Sequence, residues 1–140
     1  AAGFFEGTIR TFNKEVERKM TEQFEKMVVQ TADIYGQKGS IEWILTPPVV
    51  HNDAAVTKVV KSVTEKFATV VTPEVTLGAE DFANYMEHVP GCFVFIGTGC
   101  PREWHHPAFL VDDAALPFAI QYFVDNTNAL LEELSQKGNA

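Results

Sequence analysis

The sequence predicts an α/β (α+β) protein in two parts, and three observations predict it. Residues 4–45 alternate in the order strand, helix, strand. Pro47-Pro48 then stiffens and extends the backbone, which places a boundary between residues 1–46 and residues 47–140. Beyond it, Cys92-Phe93-Val94-Phe95-Ile96 is a continuous apolar run of strand length, as expected for a buried strand of an α/β sheet.

In the first part, residues 4–12 are rich in aromatic and β-branched side chains and read as a strand, although the alternation is imperfect. Asn13 is placed to cap a helix, with Glu15 and Glu17 in a first turn where acids suit the helix dipole. Val16, Met20, Phe24, Met27, Val28, Thr31 and Ile34/Tyr35 recur at steps of three and four, which is one helical face, and Gly36 ends it. Lys14, Arg18, Glu22, Glu25 and Lys26 form the opposite, solvated face. Residues 40–45 read as a second strand with Glu42 outward.

In the second part, Asn52 or Asp53 caps a helix whose apolar stripe is Val56, Val59, Val60, Val63 and Phe67. Val70-Val71 make a short extended piece before a Thr72-Pro73 turn. Gly78 permits a tight bend, and Glu80 and Asp81 open a short helix that turns Phe82, Tyr85 and Met86 inward. Acids in that position are often simple caps. The apolar run 92–96 follows, then Gly97-Thr98-Gly99 at its carboxyl end, where sites in open sheets usually lie. Asp112 or Asp113 caps the last helix, whose apolar positions are Leu116, Ile120, Phe123, Val124, Thr127, Leu130, Leu131 and Leu134.

Composition narrows the function. A hydrophobic fraction of 46% with 21% charged residues is that of a globular protein. The net charge of -8 argues against nucleic acid and anionic membranes, because phosphate binding needs a basic patch. No apolar run is long enough to span a bilayer, and residues 1–5 do not read as a secretory signal. Cys92 and Cys100 are too few for a disulfide framework and are not in metal-ligand spacing, so a reducing cytoplasm is the expected setting. Gly97-Thr98-Gly99 is weak support for a nucleotide site, lacking both the P-loop lysine and the third glycine of a dinucleotide fingerprint.

The stretch richest in chemistry is Trp104-His105-His106-Pro107-Ala108-Phe109. Neutral imidazole is the commonest metal ligand and a ready base near neutral pH. Neighbouring side chains on a strand point oppositely, so one ligand and one supporting or substrate contact reads better than two ligands of one ion. On these six residues alone, a surface pair with no role is an equal reading.

Several motifs fall in one order: Gly7-Thr8-Ile9-Arg10-Thr11-Phe12, Asn52-Asp53, Gly78-Ala79-Glu80-Asp81-Phe82, Val89-Pro90-Gly91, Phe95-Ile96-Gly97, and His105-His106-Pro107 with Val111-Asp112-Asp113 and Ala115-Leu116-Pro117. The set resembles the carboxyl-terminal part of the metal-dependent amidohydrolases that include hippurate hydrolase, N-acyl-L-amino-acid amidohydrolase and the auxin-conjugate hydrolases. The resemblance implies a ferredoxin-like lid or dimerisation domain, of which residues 1–46 would be the latter half. It implies that residues 47–140 are the C-terminal portion of an α/β/α catalytic domain holding two divalent metals, zinc, manganese, nickel or cobalt. The family's other ligands and its paired glutamates would lie ahead of residue 1, so the chain is expected to be a piece of a longer subunit.

By the same resemblance, His105 matches the family's C-terminal metal ligand, and His106 takes a substrate-side or structural part. Glu80 and Asp81 match a loop bordering the metal site, where Glu80 would orient a ligand. Arg10 matches a lid arginine, either a clamp for a substrate carboxylate or a plain strand-edge charge. No catalytic residue is expected here, because the general base would be a glutamate ahead of the chain. The implied reaction is hydrolysis of an N-acyl amino acid or small peptide by metal-activated water, in a homodimer joined through the lid. An alternative of another class is a non-catalytic dimerisation or interaction module. The metal-ligand reading requires the His105 ring to project into a cleft floored by the end of the 93–96 strand, near the acidic Gly78–Asp81 bend.

Overall fold

A computed structural model describes residues 2–44 and 47–138. Four helices follow in order: α1 (Lys14–Ile34), α2 (Ala54–Thr64), α3 (Phe82–Met86) and α4 (Ala115–Gly138). Among the described residues there is no β-strand, so the α/β class, the strand-helix-strand lid and the buried 92–96 strand are all corrected. The physical reason is that a strand exists through the ladder bonds it makes to a neighbour, not through its own composition. Residues 4–12 have no such ladder, and Phe4, Phe5 and Phe12 are exposed. Leu45, the last residue of the expected second strand, lies outside the described residues. Along 92–96, Phe95 is exposed and the flanking residues are only half-buried. No described helix is long and apolar enough to cross a membrane.

The chain forms two compact units, Ala1–His51 with Glu74–Val89 and Asn52–Pro73 with Pro90–Ala140. In the first unit, Asn13 caps α1 as expected: its Oδ1 accepts the Glu15 and Val16 amides at 2.8 and 3.2 Å. The chain leaves the helix through Gly36 at φ 66°. The face that α1 covers differs from the expected stripe. Glu17, Thr21, Phe24, Val28 and Ala32 are half-buried, whereas Val16, Met20, Met27, Ile34 and Tyr35 are exposed. The segment after the helix accounts for this. Trp43 lies against Phe24 with ring centroids 6.3 Å apart, and its indole N–H donates to Glu25 Oε1 at 2.7 Å. Gly39 sits so close to α1 that a Cβ there would meet the Val28 carbonyl oxygen at 2.8 Å.

In α3 the inward residue is Ala83, 1% exposed, while Tyr85 is exposed. A five-residue helix buries one small side chain where it sits closest, and the large rings at its edge stay out. The Lys14 ammonium, bonded to Glu87, holds that carboxyl below its usual range.

The second unit is built on α2 against α4. Asp53 caps α2, its Oδ1 accepting the Ala55 and Val56 amides at 2.9 Å each. The stripe read from the sequence faces inward, with Val60 and Val63 buried and Phe67 tilted against Phe118 at 5.6 Å. On α4 most of the expected stripe faces outward, Leu130 being the member that is half-buried. Leu116, Ile120, Phe123, Val124, Leu131 and Leu134 are exposed, and Phe118, Tyr122 and Asn126 turn inward instead. This helix carries apolar residues around most of its circumference, so periodicity alone could not select the packed face. The selected face includes a polar match. Asn126 Nδ2 donates to Thr64 Oγ1 at 3.2 Å and to the Tyr122 carbonyl at 2.8 Å, both side chains being buried.

Asn52 joins the two stretches of this unit. Its Oδ1 accepts the Phe93 amide at 2.8 Å and its Nδ2 donates to the Phe93 carbonyl at 2.9 Å, while the Asp53 amide donates to Gly91 O at 2.9 Å. One side-chain amide thus does for Phe93 what a neighbouring strand would do. Asn52→Leu strips Phe93 of both bonds in a half-buried place, and a loss of about 1–3 kcal/mol is expected. Urea unfolding followed by circular dichroism measures it, and an unchanged midpoint would refute the role.

Burial pushes the Tyr122 phenol above its ordinary value of 10.0, with Cys92 as the lesser cause. A phenol whose folded value is raised favours folding below the unfolded value, and that contribution disappears as pH climbs through the folded one. Thermal midpoints are therefore expected to fall as pH passes about 10, and to fall less in Tyr122→Phe.

Candidate functional site

The histidine turn hangs from a neck formed by residues 98–99 and 112–115. The Asp112 amide donates to Thr98 O at 2.9 Å, closing the loop. Asp112 Oδ1 accepts the Ala114 amide at 2.9 Å and its carbonyl the Ala115 amide at 2.8 Å, so one residue fastens the loop and leads into α4. Gly99 has φ 74°, and a Cβ there would meet Asp112 Cβ at 3.2 Å. Both the left-handed backbone and the tight approach of Asp112 favour glycine here. Inside the loop, Cys100 Sγ accepts the Arg102 amide at 3.3 Å.

Trp104 packs on Phe95 at 5.1 Å, and Phe95 meets Phe93 edge-on at 5.2 Å. This run of rings fixes one end of the turn. The next residue, His105, has φ 67° and alone among the described non-glycine residues has a positive φ. That conformation costs roughly 1–2 kcal/mol for an L-residue, so the surrounding bonds must hold it. The His106 amide donates to Glu103 O at 3.2 Å, the Phe109 amide to His106 O at 2.9 Å, and the Ala108 amide to His106 Nδ1 at 3.0 Å.

The two imidazoles are consequently different. His106 Nδ1 is an acceptor already in use, which leaves its ring proton on Nε2. His105 is exposed and no strand forms at 93–96, so the expected cleft floored by that strand is corrected, and the ring has no hydrogen-bond partner among the described residues. Its lone pair is available to a ligand that the neighbour's Nδ1 cannot take.

The remaining candidates belong to the other unit. Glu80 Oε1 accepts the Phe82 amide at 3.2 Å, closing the turn into α3. Asp81 stands at the N-cap position of α3 but makes no side-chain cap bond. Arg10 is exposed and has no ion-pair partner among the described residues. Among the described residues, no three His, Cys, Asp or Glu side chains are grouped to hold a metal ion. As donor chemistry, His105 fits one position of a metal's ligand set and does not complete it.

Three contributors escaped the sequence reading: Trp104 as an anchor, Asp112 as the neck, and the left-handed backbone at residue 105. Gly99 was the one available signal, because a glycine beside a polar loop often marks a required conformation.

Residues 6–128 match the family described as Peptidase family M20/M25/M40. The chain is 36% identical over 128 residues to an N-acetyl-L-cysteine deacetylase of Bacillus subtilis, covering 91% of this chain and 31% of that protein. It is 32% identical over 117 residues to thermostable carboxypeptidase 2 of Saccharolobus solfataricus, covering 79% of this chain and 30% of that protein. The crystal structure of the Bacillus subtilis YXEP protein, described as a dinuclear metal binding peptidase from the M20 family, is similar with a TM-score of 0.78. That likeness has 34% identity and covers 94% of this chain and 40% of the other. The chain belongs to peptidase family M20/M25/M40, which bears out the resemblance read from its motifs. It spans about a third of the length of the curated relatives it matches.

Gly99→Ala is expected to strain the neck and lower stability by about 1–2 kcal/mol. Differential scanning calorimetry reads this directly, and a wild-type midpoint would show that the neck tolerates a side chain.

Proposed function

We propose that this chain is the part of an M20-family metal-dependent amidohydrolase that supplies one metal-ligating imidazole, His105. The observation that carries the reading is the contrast within the histidine pair. One ring is tied to the backbone, and the other is left without a partner on a strained, left-handed residue. Strain of this kind clusters where a side chain must be aimed.

In the complete subunit, two divalent ions, zinc, manganese, nickel or cobalt, would polarise the scissile carbonyl and lower the pKa of a water. His105 would hold one ion. His106 Nε2–H is a donor for an acceptor atom of the substrate or for a structural partner. Glu80 and Asp81 would accept hydrogen bonds that orient ligands, and Arg10 would clamp the substrate carboxylate. No residue of this chain is given the part of general base. The substrate class is an N-acyl amino acid or small peptide, in keeping with relatives named for N-acetylcysteine deacetylation and carboxypeptidase activity.

A second reading, a dimerisation module pairing with another copy of itself, is favoured by the exposed Val16, Met20, Met27 and Ile34 along α1. Sedimentation equilibrium separates the two, since a strict monomer at high concentration removes it.

With one imidazole and no further grouped ligands among the described residues, the 140-residue chain is expected to be inactive and to bind metal weakly. Zinc calorimetry should show no submicromolar stoichiometric site. In a Co2+ titration followed by NMR, the His105 ring should broaden before those of His51, His88 and His106. Broadening led by another histidine would overturn the assignment.

A further inference from the structure

We propose that the outer face of α4 is the seam at which this chain packs onto the remainder of an M20 subunit, the occupant being the polypeptide that the relatives carry outside the matched third. The proposal rests on reading the chain as part of a longer subunit, and not on the role given to His105.

α4 carries two apolar faces. One turns inward with Phe118 and Tyr122. The other carries Leu116, Ile120, Phe123, Val124, Leu131 and Leu134, which are between 52% and 66% exposed. These six positions fall in a stripe about 100° wide and, at 1.5 Å per residue, about 27 Å long. No Asp, Glu, Lys or Arg lies within it. A stripe of that width is what a helix presents to a core, and this one faces away from α2.

The chain as a whole shows the same shortage of cover. Of its residues 46% are hydrophobic, yet among the described residues the buried apolar side chains are Val60, Val63, Ala83 and Tyr122. Its exposed surface is 11626 Å² at a mass of 15.6 kDa. Even two separate compact bodies of half that mass would together expose only about 8,700 Å². The excess is about 3,000 Å², whereas a standard contact between separate proteins covers about 800 Å² of each partner. A second copy of the chain would therefore leave most of the excess bare. The relatives have what is needed: this chain covers 31% of the N-acetyl-L-cysteine deacetylase and 40% of the YXEP protein, so most of each lies outside the match.

A single-chain chimera tests the seam, with the matching segment of the Bacillus subtilis N-acetyl-L-cysteine deacetylase replaced by this chain. Leu131→Cys is introduced in the chimera and, in parallel, in the isolated 140-residue chain. Maleimide labelling is then followed at that site by peptide mass spectrometry. Leu131 is 56% exposed, so the new thiol is expected to react freely in the isolated chain and about tenfold more slowly, or slower still, in the chimera. As a second measurement, Ile120→Gln is expected to leave the urea midpoint of the isolated chain unchanged and to lower that of the chimera, where the amide would be covered.

A chimera that hydrolyses N-acetylcysteine yet labels at residue 131 as fast as the isolated chain would overturn the seam. So would an isolated chain that dimerises in sedimentation equilibrium and reverts to a monomer with Ile120→Gln, which would make a second copy the occupant. His105→Ala in the chimera separates the seam from the metal-ligand reading. Protection at residue 131 is expected to persist while hydrolysis is lost, and retained hydrolysis would remove the ligand role and leave the seam standing.

Discussion

The second unit depends on a single carboxamide. Asn52 meets the backbone of Phe93 with donor and acceptor together, bridging segments far apart in the sequence. The adjoining Asp53 uses its amide on Gly91 and its carboxylate on the start of α2. Two consecutive residues thus align a helix terminus with the apolar run that leads to the histidine turn. The Phe93–Phe95–Trp104 rings and the Thr98–Asp112 neck continue from this junction, while α4 is held separately by its packing on α2.

The helices that could be read from the sequence were those governed by local chemistry. Asn13 and Asp53 cap because a short side-chain oxygen reaches the next free amides, a decision made within four residues. The α2 stripe was legible because only one of its faces is apolar. The α4 stripe was not, because Leu116, Ile120 and Phe123 make a second face as apolar as the packed one. Strand identity failed for a different reason: a ladder is a property of two segments. The residues 92–96 were correctly singled out as apolar, but the groups that bond Phe93 sit on a side chain forty-one positions away.

At the candidate site, residue type was legible and conformation was not. Motif order pointed to His105 and assigned His106 a lesser part, whereas the difference in hydrogen bonding between the two rings could be seen only in the structure. Histidine is enriched in the left-handed region among non-glycine residues, but most histidines lie elsewhere, so the letters alone do not announce that residue 105 is left-handed. Glu80 shows the opposite case. One of its oxygens does what acids at helix starts commonly do, so its identity alone says little about a further role.

Asn126 has a consequence for how α4 is indexed on its neighbour. A helix with two oily faces could dock on either, at settings differing by a rotation about its own axis. The observed setting gives the buried Thr64 hydroxyl a donor in Asn126 Nδ2, although the Oδ1 of the same amide is buried without a partner among the described residues. A directional bond of this kind distinguishes one rotation of a helix from another, which aliphatic contacts do only weakly because they fit nearly as well at many angles.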